Sequence, residues 1–501
     1  MNYAERPLTP KQKALEINLD RTIYGTFAEI GAGQETVRFF YRAGGASGTL
    51  AKSMSAYDKD FSDNIYGREE NGRYVTEQRL MKMMDHEIDL IEERLNKDTH
   101  LGKRFFTYAN TVTTIDYMKK YQGHGWVGLR FQENPQEDYN DIILHVKFKE
   151  NNAQLQQETL GVLGVNLIYG AFHFYDNPRL LIDSLYDTLD KDQIEIDMIN
   201  FSGPSFKYVD NRLMSLQLVK NGMTQAVMFG PNGLNILPAD FLYKKNIFVL
   251  RGSFRPVTNV NMDMLNTGLE AFKNDDDTIR PENLQVIFEI TLSNLKQSGE
   301  IDERDFLHRA DILGHLGHYV LISNMQEYYK VTEYLSEFTR NQTKIGLAMG
   351  VNNLLDVFKE EYYQPLSGGI MEAFGKLFKR NVTIYLYPYL DKNTNELLHS
   401  DNLKVSDHLK ELYKYFKQNE RIKDIKGYDP DVLHIYSRNI LQMLQNCERG
   451  WEKWLPSTVA ETIMVNKLFG YDDEKCQFLG SMVDFKMQDA EEQESNQQSS
   501  R

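Results

Sequence analysis

Cysteine is scarce in this sequence, and the two cysteines lie far apart. Neither Cys447 nor Cys476 has a histidine or a second cysteine near it at the spacing of metal ligands. Disulfide-rich folds and zinc fingers need several such residues at short, regular spacings. The sequence therefore predicts neither a disulfide framework nor a metal site, and its cysteine content suits a reducing compartment.

Long hydrophobic runs and an excess of positive charge are also absent. The sequence has no run of about 18 apolar residues, and its first residues lack the apolar core of a secretory signal. The formal net charge of −15 opposes a general attraction to nucleic acids or anionic membranes. We therefore expect a cytoplasmic protein that binds neither nucleic acid nor membrane, and the composition is compatible with a homo-oligomer.

Proline is sparse as well, with 13 in 501 residues, and 41% of the residues are hydrophobic. Such a chain folds, and its length suits about two to three domains. The apolar pattern predicts a mixed α+β region at 1–140, a parallel α/β domain at 141–400 and a helical region at 401–486. The segment 487–501 is polar without aromatic residues, and we predict a disordered tail there.

In the central region, short apolar runs alternate with stretches of helical periodicity. This alternation predicts an α/β fold with a mainly parallel sheet and flanking helices. We favour a doubly wound sheet, with a (β/α)8 barrel as the alternative, and both place ligands at the carboxyl ends of their strands. Small and polar residues follow several predicted strands and suit either ordinary turns or a candidate rim: Ser202, Gly203, Pro204, Lys207, Asp210, Arg212, Arg251, Gly252, Ser253, Arg255, Ser293, Asn294, Ser323, Asn324, Gly350 and Asn352.

The stretch from Asn246 to Phe272 has the pattern of a phosphate-binding strand, loop and helix. Asn246 to Leu250 is an apolar run, Gly252 to Thr258 is a turn with glycine and proline, and apolar residues then recur at helical spacing. Backbone N–H groups of such a loop and the amino end of the helix point at an anion. We therefore predict that this loop binds phosphate.

The same stretch resembles the nucleotidylyltransferases of the pantetheine-phosphate and nicotinate-nucleotide adenylyltransferase kind, whose first strand enters a G-S-F-D-P-x-T-N-G-H loop. The matching residues are Gly252, Ser253, Phe254, Pro256, Thr258 and Asn259. Three positions differ: Arg255 replaces an acid, Val260 replaces a glycine and Asn261 replaces the second histidine of the family signature. The resemblance covers about 25 residues and supports nucleotide binding better than catalysis, because Asn261 carries no positive charge.

The resemblance implies a nucleotide-handling protein that transfers AMP from ATP to a phosphorylated small molecule such as nicotinate mononucleotide. ATP, with Mg²⁺, is then the candidate cofactor. The cofactor-binding candidates are Gly252, Ser253, Phe254, Arg255 and Thr258. The candidates near the transfer centre are Asn261 and the pair His315 and His318. The alternative is a protein that binds nucleotide, phosphate or another protein without catalysis.

Two further motifs have a structural and a functional interpretation. His315-Leu316-Gly317-His318 repeats an H-x-G-H signature but follows a predicted helix, so Gly314 and Gly317 are better interpreted as helix-ending glycines. The turn Ala28 to Glu35, with Gly31 and Gly33, resembles the first motif of Rossmann-type methyltransferases that bind S-adenosylmethionine. The full glycine fingerprint is missing there, and a tight turn from strand to helix explains the glycines as well.

Overall fold

The computed structural model describes residues 7–95, 100–296, 299–339, 343–379, 381–472 and 474–476. The chain forms two compact units. The first comprises 1–227 and 235–237, and the second comprises 228–234 and 238–501. The predicted tail at 487–501 lies outside the described residues.

The first unit is built on a six-stranded mixed sheet in the order β2-β1-β3-β4-β5-β6. Its strands are β1 (Ile23–Ile30), β2 (Leu50–Met54), β3 (Arg104–Thr113), β4 (His124–Phe131), β5 (Asn140–Phe148) and β6 (Ile194–Ser202). β1 pairs in parallel with β2 and β3, whereas β3 to β6 pair antiparallel. The sheet therefore changes from parallel to antiparallel at β3.

Helices cover this sheet and bury an apolar core. They are α1 (Pro10–Leu19), α2 (Glu35–Ala43), α3 (Lys59–Tyr66), α4 (Glu77–Arg94), α5 (Ala153–His173), α6 (Pro178–Ser184) and α7 (Asn211–Lys220). α5 begins after Asn152, whose side chain accepts the N–H groups of Gln154 and Leu155. Most of α5 is buried, because its residues are apolar on nearly every face.

Buried charges in the first unit are paired with one another. The Lys13 ammonium on α1 lies 2.6 Å from the Asp187 carboxylate and donates to Asn166 at 2.9 Å. On the antiparallel part of the sheet, the Asp197 carboxylate lies 2.6 Å from His145 and 2.9 Å from Lys147. Burial alone would raise the pKa of Asp197, but the interactions with His145 and Lys147 outweigh it and lower the pKa.

The second unit is built on a larger sheet with the order β16-β13-β12-β9-β10-β11-β7-β8. Its strands are β7 (Ala226–Phe229), β8 (Asn235–Ile236), β9 (Asn246–Arg251), β10 (Leu284–Thr291), β11 (Tyr319–Ser323), β12 (Ile345–Gly350), β13 (Val382–Tyr387) and β16 (Ile422–Asp424). From β16 to β11, neighbouring strands pair in parallel. The boundary between the units falls within the β7–β8 hairpin, and a separate two-stranded ribbon consists of β14 (Tyr389–Leu390) and β15 (Leu397–Leu398).

The strands of the second unit alternate with helices along the chain. These helices are α8 (Pro238–Leu242), α9 (Asn259–Asn274), α10 (Leu292–Leu295), α11 (Glu303–His315), α12 (Tyr328–Ser336), α13 (Val351–Val357), α14 (Gly369–Leu377), α15 (Lys410–Gln418), α16 (Ser437–Asn446) and α17 (Ser457–Asn466). The α/β fold class predicted from the sequence is confirmed. Among the described residues the sheets stay open, so the barrel alternative is wrong.

The strand order places a reversal at the centre of the second sheet. From β9 the chain builds β10 and β11 on one side, then returns to the other side of β9 to build β12, β13 and β16. This is the 3-2-1-4-5-6 order of doubly wound sheets, which bind ligands where the order reverses. Here that point lies between the carboxyl ends of β9 and β12.

The structure departs from the sequence prediction in the region 141–400. We predicted one parallel domain there, but β5 and β6 pair antiparallel and belong to the sheet of the first unit. In the chain, α5 and α6 lie between β5 and β6, and α7 follows β6. This alternation of strands and helices resembles that of a parallel α/β repeat, which explains the wrong prediction. In the predicted helical region, the described residues form α15, α16 and α17 together with the short strand β16.

The expectation of no disulfide is also wrong. Cys447 and Cys476 are bonded, with their Cα atoms 5.0 Å apart. Cys447 caps α16 in the left-handed conformation, and folding brings the segment 474–476 back to it. Because the two cysteines are 29 positions apart in the sequence, their proximity could not be predicted from the sequence. Among the described residues, we find no helix that is both long enough and apolar enough to cross a membrane.

Candidate functional site

The loop after β9 is held against the sheet by an aromatic side chain. The Gly252 N–H donates to the Glu289 carbonyl at 3.1 Å. Phe254 adopts a φ of +48° and packs its ring on Phe288, with ring centres 5.0 Å apart. A Cβ at position 252 would lie 2.9 Å from the Phe254 ring, so the close approach requires glycine there. Phe254 therefore anchors the loop and is buried.

Arg255 has a partner within the protein. Its Nε donates to the Asp305 carboxylate at 2.6 Å, and Arg309 on α11 pairs with the same carboxylate. Arg309 also donates to the Ser253 carbonyl at 3.1 Å. The predicted phosphate-binding cation thus joins the loop to α11 by sharing the Asp305 carboxylate with Arg309.

Thr258 and Asn261 form the start of α9. The Asn261 side-chain oxygen accepts the Thr258 N–H and the Thr258 hydroxyl, each at 3.0 Å. An Asn at this position closes the first turn, as a Glu or Gln does in a capping box. The Asn261 side chain therefore has a structural role, although it also faces a cavity that is described below.

The histidines of the H-x-G-H motif end α11. His315 is exposed in the last turn, Gly317 has a φ of +83° and the His318 N–H donates to the Leu313 carbonyl at 3.0 Å. The His318 ring stacks on Phe288 with centres 4.5 Å apart, and burial lowers its pKa. Phe288 thus contacts both His318 and Phe254. Because His318 precedes β11, it lies about 16 Å along the strand from Ser323 at the carboxyl end.

Arg251, the last residue of β9, is fixed by four acceptors. Its guanidinium contacts both Glu289 oxygens, at 2.8 and 2.9 Å, and donates to the carbonyls of Met325 and Gln326 at 2.9 and 2.6 Å. The Tyr328 ring covers it at 4.4 Å. Burial opposes the charge of Arg251, but Glu289 outweighs burial and raises the pKa. This network joins the carboxyl ends of β9, β10 and β11.

A cavity of about 570 Å³, here called cavity A, opens at the reversal point. Strands β9, β12 and β13 provide its floor through Leu250, Gly350 and Tyr387. Three basic side chains line it: Arg251, which is paired with Glu289, and the exposed Lys392 and Arg438. Its described lining residues include no Asp or Glu, although the chain has a net charge of −15. Cavity A is therefore cationic within an acidic protein.

The amino ends of two helices border cavity A. Val260 and Asn261 belong to the first turn of α9, and Ser437, Arg438 and Asn439 to the first turn of α16. Helix amino ends carry a partial positive charge, which adds to that of the side chains. The Lys392 ammonium lies 3.7 Å from the centre of the Tyr436 ring. The wall thus combines cations, helix ends and an aromatic face.

A second cavity of about 390 Å³, here called cavity B, lies at the ends of β9 and β10. Arg251 and Asn353 line both cavities, so A and B share a wall. The other residues lining cavity B carry hydroxyl, amide, carboxylate or aromatic groups, apart from Gly252 and Val357: Ser253, Thr291, Ser293, Asn294, Gln326, Glu327, Tyr328, Asp356, Tyr362 and Tyr363. The charged groups of cavity B are paired within the protein, because Glu289 contacts Arg251, Lys330 lies 2.6 Å from Glu327 and Lys359 lies 2.7 Å from Asp356.

The glycine turn of the first unit has a local structural explanation. The Glu29 carboxylate accepts the N–H groups of Thr36 and Val37 at the start of α2, each at 3.1 Å. Gly31 has a φ of +101°, and a Cβ there would lie 1.7 Å from the Val112 carbonyl oxygen. Burial raises the pKa of Glu29 to about 7, against the hydrogen bonds that lower it. Glu29 thus holds the turn to the start of α2, and Gly31 allows the turn to lie against β3.

One group of possible metal ligands was missed from the sequence. Atoms of His399, Asp401 and Asp424 lie within 4.8 Å of one another. Asp424 accepts two hydrogen bonds from Ser400, at 2.9 and 2.6 Å, and Asp401 pairs with Lys417. Protein groups already satisfy these carboxylates, and exposed acids often cluster without an ion.

Comparison with known proteins gives similarity in structure only. No family model and no curated protein matches the chain. Similar solved structures include the competence/damage inducible protein CihA from Agrobacterium tumefaciens, with 16% identity and a TM-score of 0.23, covering 33% of this chain and 96% of that chain. A CinA superfamily protein from Enterobacter cloacae has 12% identity and a TM-score of 0.26, covering 34% and 97%. One from Escherichia coli has 14% identity and a TM-score of 0.23, covering 33% and 93%.

The resemblance to nucleotidylyltransferases is wrong. No nucleotidylyltransferase family model matches the chain, and none of the solved structures named above is a nucleotidyltransferase. The contacts of the loop explain why the sequence resemblance was misleading. Arg255 pairs with Asp305, Asn261 closes the first turn of α9, and Phe254 anchors the loop to Phe288. Phe254, which matches the family loop, and Arg255 and Asn261, which differ from it, thus each have a contact inside the protein that accounts for them.

Several cavity residues were predicted and others were not. The strand-end rim included Arg251, Gly252, Ser253, Ser293, Asn294, Gly350 and Asn352, all of which line cavity A or B. The sequence analysis missed Lys392 and Arg438, which follow β13 and begin α16, and also Asp356 and Tyr362. A search for cations after each predicted strand would have found Lys392. Arg438 comes from a distant helix, and no local pattern marks it.

Proposed function

We propose that the second unit binds a nucleotide, with its phosphate groups in cavity A. The observation that carries this proposal is a cationic cavity, without carboxylates among its described lining residues, at the reversal of a doubly wound sheet. Phosphate needs cations and N–H donors, and doubly wound sheets bind nucleotides at the reversal point. The volume of about 570 Å³ is within the range of small-molecule sites.

The proposal concerns binding, and it moves the phosphate site from where the sequence suggested it. Arg255 is engaged by Asp305, whereas Arg438 and Lys392 are exposed and line cavity A. The amino end of α9 borders the same cavity, so the loop contributes through the helix that it starts. A nucleotide ligand also agrees with the cytoplasmic location expected from the sequence, because nucleotides are abundant there.

The test is calorimetric titration of the protein with ADP. We expect the double variant Lys392→Ala and Arg438→Ala to bind ADP at least tenfold more weakly, a change of about 1.4 kcal/mol or more. Hydrogen bonds to charged groups contribute about 1.5 to 3 kcal/mol each when well placed, which makes this a conservative figure. Adenosine, which lacks phosphate, should bind more weakly than ADP and should not respond to the two substitutions.

The matched control is Lys410→Ala. Lys410 is an exposed cation of the same unit that pairs with Asp407 and does not line cavity A. It should leave the affinity for ADP unchanged. If the parent protein does not bind ADP, or if the double variant and the control bind it equally well, the proposal is overturned.

A further inference from the structure

We infer that the ligand of the second unit is a dinucleotide, with its diphosphate and one nucleoside in cavity A and its second nucleoside in cavity B. This inference rests on the proposed function, because it assumes phosphate in cavity A. Its starting point is that the two cavities share Arg251 and Asn353 as a common wall. A ligand that passes these two residues occupies both cavities.

The floors of the two cavities correspond to the two halves of the sheet. Cavity A lies over β9, β12 and β13, and cavity B lies at the ends of β9 and β10. In a doubly wound sheet with this strand order, each half binds one half of a dinucleotide, and the diphosphate lies near the reversal. The volumes of about 570 and 390 Å³ give the larger space to the half that also holds the diphosphate.

The charges of the two cavities differ in the direction that this arrangement requires. Cavity A has the exposed cations Lys392 and Arg438, whereas the two carboxylates of cavity B are paired, Glu327 with Lys330 and Asp356 with Lys359. Arg251 does not make cavity B cationic, because Glu289 contacts its guanidinium through both oxygens. Among its described lining residues, cavity B therefore offers a phosphate group no uncompensated cation. The hydroxyl groups of a ribose can donate hydrogen bonds to its carboxylates.

Aromatic rings complete the chemistry of cavity B. Tyr328 and Tyr362 line it, and Tyr362 is 45% exposed, so a planar base can reach its ring. Nucleic acid bases stack on such rings regardless of their identity. Hydroxyls and amides from Ser293 and Asn294 offer donors and acceptors to a base edge. Cavity B therefore suits a nucleoside without phosphate.

The experiment compares ADP with two dinucleotides, NAD⁺ and P1,P2-di(adenosine) diphosphate, in calorimetric titrations of the full chain. We expect at least one dinucleotide to bind tenfold or more tightly than ADP. Tyr362→Ala should remove this advantage and leave ADP binding unchanged, whereas Arg438→Ala should weaken all three ligands. Tyr415→Ala is the matched control, because Tyr415 is 58% exposed in the same unit and does not line either cavity.

Three results would overturn the inference. Dinucleotides that bind no more tightly than ADP, with Tyr362→Ala inert, would leave a mononucleotide site in cavity A and so preserve the proposed function. Equal weakening of ADP and dinucleotides by Tyr362→Ala would mean that one mononucleotide spans both cavities. If ADP and both dinucleotides fail to bind, the inference and the proposed function are both wrong.

Discussion

The buried charges of the first unit and the cavity cations of the second unit are used in opposite ways. In the first unit, Lys13, Glu29 and Asp197 are buried, and each forms hydrogen bonds or an ion pair with other protein groups. In the second unit, Lys392 and Arg438 are exposed and line a cavity whose described lining residues include no carboxylate. A buried pair contributes to folding, whereas cations gathered around an empty space are available to a ligand. The contrast separates stability from binding within one chain.

The largest effect on stability is expected at Lys13. Replacing Lys13 with Ala removes the cation that lies 2.6 Å from the buried Asp187 carboxylate, and breaking such a pair costs about 3 to 5 kcal/mol. Burial lowers the pKa of Lys13 against the raising effect of Asp187, which shows that desolvation is strong there. Denaturant unfolding measures the loss. Lys11→Ala, an exposed lysine of the same helix, is the control and should change stability by less than about 0.5 kcal/mol.

A smaller effect is expected from the pH dependence of Glu29. Its folded pKa of about 7 exceeds the ordinary value of 4.5, so the folded state holds a proton that the unfolded state releases first. The stability from this proton is complete below pH 4.5 and is lost as the pH rises through about 7. The difference corresponds to about 3 kcal/mol.

Unfolding curves between pH 4 and 8 test this expectation. Glu29→Gln should flatten the decline, whereas Glu35→Gln, at the surface of the adjoining helix, should keep it. If the stability of the Glu29→Gln variant declines by the same amount, another titratable group causes the decline.

The smallest effect on stability is expected at Arg438. It is exposed in the first turn of α16, so Arg438→Ala should change the free energy of unfolding by less than about 0.5 kcal/mol. The same variant is expected to weaken nucleotide binding, as proposed above. A thermal melt of the free protein makes the comparison. A large fall in melting temperature would show that this cation supports the fold, and the contrast between the units would fail.

The sequence predicted the parallel strands of the second unit well, for a physical reason. Strands buried on both faces are continuous apolar runs, such as Ile247 to Leu250 and Val382 to Tyr387, and each is followed by helical periodicity. Sheet membership was not predictable in this way. β5 and β6 carry polar residues such as His145, Glu195 and Asp197 among their apolar ones, which is typical of antiparallel strands. The strands with which they pair are fixed by tertiary contacts that no local pattern contains.

The candidate site shows the same limit. Residues at strand ends were found because every parallel strand brings its carboxyl end to one edge of the sheet, as with Ser293 and Gly350. The role given to Arg255 depended on a partner elsewhere: Asp305 is 50 positions away, and only the folded chain shows that the two residues pair. A sequence motif does not show which of its side chains already have partners within the protein.

The fixed guanidinium of Arg251 has a consequence for the thermodynamics of binding. A free arginine side chain loses about 2 kcal/mol of rotamer entropy when a ligand immobilises it. At Arg251 this loss has already occurred during folding, because Glu289, Met325 and Gln326 hold the group and Tyr328 covers it. The Arg251 part of the wall between the two cavities is therefore preorganised, and a ligand that lies against it would bind without a further loss of entropy from this side chain.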